Sequence, residues 1–350
     1  MSPTTQPRKI TFSGHRLRRY AQTLYNLHLR LNPPPTPTQT PARPQPSSSS
    51  TVQQHQIRIV CISDTHNNQP SLPVGDILIH AGDLTETGSF DELQDQITWL
   101  DAQPFRHIVV IAGNHDVLLD EGFLEKFPER RYGELRTKRE LAWGRVRYLE
   151  NESVSLEVTL DSKDSTTVNS KKTDSSNSTV PGTRKLEIFG TPLTPQYGVS
   201  AFQYPSHLSE GVWENKIPDD TDILIVHGPP RLHLDFDPNI QGGSLRHPGD
   251  AYLTSEIGRV RPRLVIFGHI HVGYGREDLV LDSVRRGFEG IQNRLGGWGM
   301  LGLMCLGVVW EVIRRVIGSK DKKVTTFVNA AVVGGFLANG LKNEAFIVDI

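Results

Sequence analysis

The chain has 350 residues, with 38 lysines and arginines against 39 aspartates and glutamates, and two cysteines. That length sets one large domain or two small ones, the near-zero net charge gives no general hold on nucleic acid or acidic surfaces, and the cysteine count excludes a disulfide scaffold. A hydrophobic fraction of 37% is low for a wholly packed chain, but the deficit falls in two polar stretches, so the remainder can build a sizeable core.

Residues 1–55 read as a disordered, basic, Pro/Ser-rich extension. It holds no acidic residue, while Arg8, Lys9, Arg16, Arg18, Arg19, Arg30 and Arg43 make it positive. Leu17, Tyr20, Leu24, Leu27 and Leu31 recur at helical spacing, which predicts a short amphipathic helix. The run NPPPTPTQTPARPQPSSSS that follows cannot bury enough surface to order itself. An Arg-rich, acid-poor start resembles a mitochondrial transit peptide, and no apolar core of a secretory signal is present. The expectation is a cytoplasmic protein, with mitochondrial targeting by the N-terminus as the alternative.

The domain is expected over 56–350. Five apolar runs each end in Asp, His or Asn beside a glycine or a tight turn. They are IRIVCISDTH (Ile57–His66), DILIHAGDLT (Asp76–Thr85), HIVVIAGNHD (His107–Asp116), DILIVHGPP (Asp222–Pro230) and RLVIFGHIH (Arg263–His271). Runs of this length and aliphatic content are buried strands. Strand alternates with helix from Ile57 to Asp116, which predicts a mainly parallel sheet there. A helix is expected around Ser89–Leu100 with Ser89 as its N-cap.

Further along, 145–160 and 185–193 alternate like half-buried strands. A polar insertion, 161–184, lies between them. Residues 195–217 would wall the cleft or cover the sheet. A helix around Asp250–Val260 precedes the last ligand-bearing strand, and FVNAAV and AFIVDI are two further strands. The Gly-rich apolar insertion at 284–323 is the oddest piece, because Leu295 to Trp310 carries no charge. Sixteen residues fall short of the roughly 20 a membrane span needs, and sheet strands lie on both sides of it. An interfacial helix, a hairpin or a lid packed on the domain is expected, with peripheral membrane contact through 295–317 as one reading. Cys61 and Cys305 both read as small core residues.

Ligands bind outside the carboxyl ends of strands in open α/β folds. Five converging ends would gather Asp64, His66, Asp83, Asn114, His227, His269 and His271, a set of O and N donors suited to a pair of divalent metals. Asp83, on a Gly-Asp turn, is the best bridge. His115 should stay off the metals and contact a phosphate oxygen or protonate the leaving oxygen. Asp116 would hold the tautomer of His115. The chemistry is phosphoester hydrolysis by a dinuclear-metal-activated hydroxide attacking in line. His80 reads as a structural histidine, and His107, His207, His233 and His247 as surface or loop residues. Asp235, Asp237 and Asp250 could line the cleft.

The order DTH, GDLT, GNHD, HGPP and GHIH resembles the calcineurin-like metallophosphoesterase superfamily, and LIHAGDLTETGS, FGHIHVGYG and the closing FVNAA look like its brain protein 239 group. The resemblance implies an α/β fold, a four-layer β-sandwich of two mixed sheets flanked by helices. It implies Asp64, His66, Asp83 and His271 on one metal, and Asp83, Asn114, His227 and His269 on the other. Manganese is the implied metal, with iron, zinc or magnesium as alternatives. The implied substrate is a small phosphoester or nucleotide. Phosphodiesters, including cyclic nucleotides, are the implied chemistry. A phosphomonoesterase or phosphoprotein phosphatase on the same site is the nearest alternative, and a non-catalytic metal-binding scaffold the next. No specific nucleic-acid binding is expected, since no basic stripe or aromatic platform flanks the motifs.

Overall fold

The apolar runs become strands in the computed structural model, which describes residues 12–33, 35, 56–159, 182–238, 240, 247–317, 322–334 and 340–350. After helix α1 (Phe12–Leu31) come β1 (Arg58–Ile62), β2 (Ile77–Ala81), α2 (Phe90–Asp101), β3 (His107–Ile111), α3 (Glu121–Lys126) and β4 (Val146–Tyr148). A hairpin of β5 (Glu152–Thr159) and β6 (Thr183–Thr191) follows. Next are β7 (Thr194–Pro195), β8 (Gln203–Tyr204), α4 (Ser209–Trp213), β9 (Ile223–Val226), α5 (Ala251–Val260), β10 (Leu264–Phe267) and β11 (Gly275–Val280). The chain closes with α6 (Ser283–Gln292), α7 (Trp298–Ile317), β12 (Val324–Asn329) and β13 (Phe346–Asp349).

Two mixed sheets result. The first has the order β13-β1-β2-β3-β4, parallel except for β13. The second has the order β11-β12-β10-β9-β6-β5, parallel through its four central strands and antiparallel at both edges. Apart from Arg58 and His107 at their starts and His80, β1 to β3 are apolar because both their faces are covered. In β1, Ile59 and Cys61 face the second sheet, where Ile188, Ile225 and Ile266 meet them. Val60 and Ile62 face the other way, against Leu93, Ile97 and Leu100 of α2. On the far side Leu224, Val226, Val265 and Phe267 pack under Trp213 of α4 and Leu253 and Ile257 of α5. The layers are therefore helix, sheet, sheet, helix. Each fully buried aliphatic side chain contributes about 1.5–3 kcal/mol, so the intersheet layer and the two helix–sheet layers all contribute to stability.

Local signals set the helix ends. Ser89 Oγ accepts the Glu92 N–H at 3.4 Å ahead of α2, and Asp250 Oδ1 accepts the Tyr252 and Leu253 N–H groups at 2.8 and 2.9 Å ahead of α5.

Two expectations are corrected, the wholly disordered extension and the buried Cys305, while the apolar insertion takes one of the forms expected of it, a hairpin. Part of the N-terminal extension is an ordered helix, α1, whose Leu17, Ala21 and Tyr25 pack with Val284 and Ile291 of α6 and Met304 and Val308 of α7. The apolar insertion is a helical pair, so the extension and the insertion cover one another. Cys305 is exposed rather than buried, while Cys61 is in the core as expected. Most of the polar insertion at 161–184 and most of the Pro/Ser-rich run lie outside the described residues.

Candidate metal centre

Every ligand-type residue named above sits just beyond the carboxyl end of a strand. Asp64 and His66 follow β1, Asp83 follows β2, Asn114 and His115 follow β3, His227 follows β9, and His269 and His271 follow β10. The turns are tight enough to force left-handed backbone on Asp64 (φ 53°), His66 (φ 41°), Asp83 (φ 53°) and His269 (φ 66°). Such conformations are uncommon for non-glycine residues and cluster where function holds them. Two glycines make the convergence fit. A Cβ at Gly82, whose φ is +95°, would lie 2.6 Å from the Ala112 oxygen and 2.7 Å from His227 Nδ1. One at Gly268 would collide with the Asp64 carboxylate.

The donors form three overlapping groups, of which His66, Asp83 and His115 link the other two. Asp64, His66 and His271 can offer one ligand atom each within 4.8 Å of one another, and so can Asp83, His227 and His269. His271 Nε2 lies 3.2 Å from Asp64 Oδ1, and His227 Nε2 lies 3.3 Å from Asp83 Oδ2 and 3.0 Å from Asn114 Oδ1. His66 Nε2 is 3.8 Å from Asp83 Oδ2. The resemblance implied the two outer groups, with Asp83 between them.

The chemistry of the donors fits divalent cations. His66 is buried with Nδ1 3.3 Å from a Glu86 carboxylate oxygen, while Nε2 has no hydrogen-bond partner among the described residues and lies 3.8 Å from Asp83 Oδ2. His227 Nδ1 is 3.0 Å from the Ala81 carbonyl, which can only accept, so Nδ1 carries a proton in either charge state, and it is the proton on Nε2 that a cation would displace. Asp64 and Asp83 are fully buried carboxylates whose ion pairs, among the described residues, all go to histidines. Burial alone would raise their pKa values, but His271 beside Asp64 and His227 beside Asp83 outweigh it and hold both well below the usual range. Burial also works against a charged His227, yet Asp83 and Asp64 raise its pKa to about 9. The pocket thus carries a concentrated negative field that calls for positive charge. Burial, reinforced by His227, pushes His269 down to about 3, leaving a neutral imidazole suited to ligation.

His115 stands beside this centre. Its ring meets that of His66 edge-on at 4.7 Å, and its N–H donates to Asp83 Oδ1 at 2.8 Å. Its Nδ1 donates to the Glu86 carbonyl at 2.7 Å. The expected tautomer partner, Asp116, is therefore elsewhere engaged. Its Oδ2 accepts the N–H groups of Gly113 (2.7 Å) and Leu84 (3.2 Å), and its Oδ1 accepts Thr85 N–H (3.0 Å) and Oγ1–H (2.7 Å). Asp116 ties the turn after β3 to the turn after β2, and the Glu86 carbonyl fixes the His115 tautomer. Backbone atoms leave no residue-type signal, so the sequence offered no sign of this.

His80 is structural as expected. Its Nδ1 accepts the Gly82 N–H at 3.2 Å, so Nε2 donates to Thr65 Oγ1 at 2.9 Å, and burial drives its pKa to about 3. His233 differs from the expectation of a surface or loop residue. It is buried between Glu277 and Glu289, at 3.2 and 3.3 Å, with its ring stacked on Phe327. His107 and His207 are not among the groups that could hold a metal, and His247 pairs with Asp235 at 2.7 Å. Asp235 and Asp250 are absorbed by loop and cap hydrogen bonds. Within 195–217 both expectations hold in part: Tyr197 lays its ring 4.9 Å from that of His269, and Tyr204 and Trp213 cover the sheet.

Residues 57–273 match the family of calcineurin-like phosphoesterases. The chain belongs to that family. Calcineurin-like phosphoesterases are hydrolases of phosphoester bonds that typically use a dinuclear divalent metal site, and the Asp/His groups above are compatible with one. The chain is 39% identical over 296 residues to the probable rhamnogalacturonate lyase C of Emericella nidulans, covering 84% of this chain and 24% of that protein. It is 34% identical over 221 residues to human metallophosphoesterase domain-containing protein 1, covering 62% of this chain and 61% of that one. A UPF0046 protein of Caenorhabditis elegans is 33% identical over 237 residues, covering 64% of this chain and 54% of its own length. The chain thus spans about a quarter of the first of these relatives and less than two thirds of the others.

Proposed function

We propose that this calcineurin-like phosphoesterase cleaves phosphodiesters of small, nucleotide-sized compounds. The observation that carries the reading is a cavity of about 790 Å³ that opens directly beside Asn114 and His115. Its wall includes Thr87, Arg130, Arg131, Tyr132 and Ser200. A monoester ends at the phosphoryl group and needs no second chamber. A diester has another arm, and this cavity has room for one. Arg130 Nε is buried without a hydrogen-bond partner among the described residues, a donor suited to an anionic or carbonyl-bearing arm. The exposed Tyr132 ring offers it a stacking face.

Asp64, His66, Asp83 and His271 on one side, and Asp83, Asn114, His227 and His269 on the other, would hold two divalent cations; manganese is the proposed ion. Such cations supply a water of lowered pKa and neutralise charge on the phosphoryl oxygens. The rest falls to the protein. His115, with Nδ1 committed to Glu86, presents Nε2 for proton transfer. Burial opposes its protonation, but Asp83 and the Glu86 carbonyl outweigh it and raise its pKa. A larger share is therefore protonated near neutrality, as a general acid for a leaving alkoxide requires.

The test compares hydrolysis of bis(p-nitrophenyl) phosphate and p-nitrophenyl phosphate by metal-stripped protein resupplied with Mn²⁺. The proposal expects the diester to be the better substrate. It also expects R130A/Y132A to raise the diester KM by about tenfold, the loss of about 1.4 kcal/mol of binding, with little change for the monoester. Preference for the monoester in the wild type would move the reading to a phosphomonoesterase.

A further inference from the structure

The helical unit formed by α1, α6 and α7 carries features that phosphoester chemistry does not use. Its inside is a small core in which Tyr25 stacks on Phe288 at 4.2 Å with rings 9° apart. α7 gives that core one narrow stripe, Met304, Gly307 and Val308, with Glu311 below. Met300 and Leu301 lean on the same core, and apart from Arg314 and Arg315 in the last turn the remaining residues are apolar or small and face outward. Leu303 (63% exposed), Leu306 (67%), Val309 (56%), Trp310 (57%), Val316 (83%) and Ile317 (73%) form one continuous helical surface. Exposed apolar surface on this scale marks an interaction site rather than ordinary surface variation. Trp298 at the start of α7 is also exposed, with Tyr20 of α1 at 6.1 Å between ring centroids.

Among the described residues, the exposed charges around this face have one sign. The acids of the unit turn inward and are paired: Asp282 with His28 at 3.0 Å, Glu289 with Arg285 at 2.9 Å, and Glu311 with Lys322 at 2.7 Å. Exposed charge beside it is left to Arg315 of α7 and to Arg19 and Arg30 of α1, next to Tyr20 and Leu31, which meet Trp298 and Arg315 of α7. An apolar face rimmed by arginines would repel a second copy of itself in a two-fold contact, since like charges would meet. It matches a bilayer with anionic headgroups. Aliphatic side chains enter the acyl boundary, tryptophan and tyrosine sit at the interface, and arginines reach the phosphates. Among the described residues no helix is long and apolar enough to cross a membrane, so α7 would lie in the surface plane.

We infer that this face docks the protein on anionic lipid bilayers. The inference is independent of the diester reading. The contact should fail if either the apolar face or the arginine rim is removed.

The experiment is sedimentation of the full chain with vesicles of phosphatidylcholine alone or with about 30% phosphatidylserine, at low and raised salt. Binding to the phosphatidylserine vesicles should exceed that to phosphatidylcholine by about tenfold, weaken with salt, and shift tryptophan emission to the blue. L306E/W310E and R19E/R30E should each lose most of this binding while melting at the wild-type temperature, which shows an intact fold. No sedimentation of the wild type, equal binding to both vesicles, or unaltered binding by L306E/W310E would overturn the inference. So would a solution dimer that L306E/W310E splits and that ignores vesicles, because the face would then belong to a second copy.

Discussion

Asp64, His66, Asp83, Asn114, His227, His269 and His271 were legible as one site because each ends an apolar run, and a strand end fixes where a side chain can go. The structure brings all seven to one edge of the sandwich. What the sequence hid at this scale was carried by backbone atoms and by burial. Adjacency suggested that Asp116 serves His115, whereas a turn sends the two side chains to different partners. This separates their roles in experiment. His115→Ala should lower kcat by about 10²–10⁴, the usual worth of a positioned general acid, with metal content unchanged by elemental analysis. Loss of one metal per chain would instead make His115 a ligand, a role its closeness to His66 and Asp83 permits.

Among elements, the helices of the N-terminal extension and the apolar insertion show where sequence periodicity falls short. The stripe Leu17, Tyr20, Leu24, Leu27 and Leu31 predicted α1, but its buried face is Leu17, Ala21, Tyr25 and His28, while Tyr20 and Leu27 are exposed. The apolar residues were counted correctly and the phase was not, because Ala21 and His28 are not strong hydrophobic markers and the partner helices, α6 and α7, lie more than 250 residues away. His233 shows the same limit. Its burial depends on Glu277 of β11 and Glu289 of α6, with Arg285 of α6 also facing that carboxylate. Burial opposes a charged His233, but Glu289 and Glu277 outweigh it and raise its pKa to about 9. A folded-state pKa above the unfolded value near 6.5 means that this contribution is complete below about pH 6.5 and fades as pH rises through about 9. His233→Gln should therefore cost on the order of 3 kcal/mol of unfolding free energy at pH 6. The cost should shrink toward pH 9.5, read by denaturant melts across that range. A pH-independent difference would show that packing on Phe327, not charge, is what His233 contributes.

For the whole molecule, alternation of strand and helix predicted the parallel run β1-β2-β3, and residue patterns alone went no further. Both sheets depend on pairings between distant strands: β13 closes the first sheet beside β1, with Arg58 bridging to Asp349 at 3.0 Å, and β12 joins β10 in the second across the helical insertion. Register across such distances leaves no local trace, so the two-sheet picture came from the resemblance of the motifs rather than from periodicity. Seven side chains from two sheets would make one dinuclear centre, with Asp83 shared between its halves. The most direct test is to titrate Mn²⁺ into metal-stripped wild type and Asp83→Asn, following metal bound per chain together with hydrolysis of bis(p-nitrophenyl) phosphate. Two ions per chain and metal-restored hydrolysis in the wild type, with both lost or sharply reduced in the variant, is the result predicted. Hydrolysis undiminished in Asp83→Asn, or two ions bound by the wild type with no turnover of any phosphoester, would contradict it.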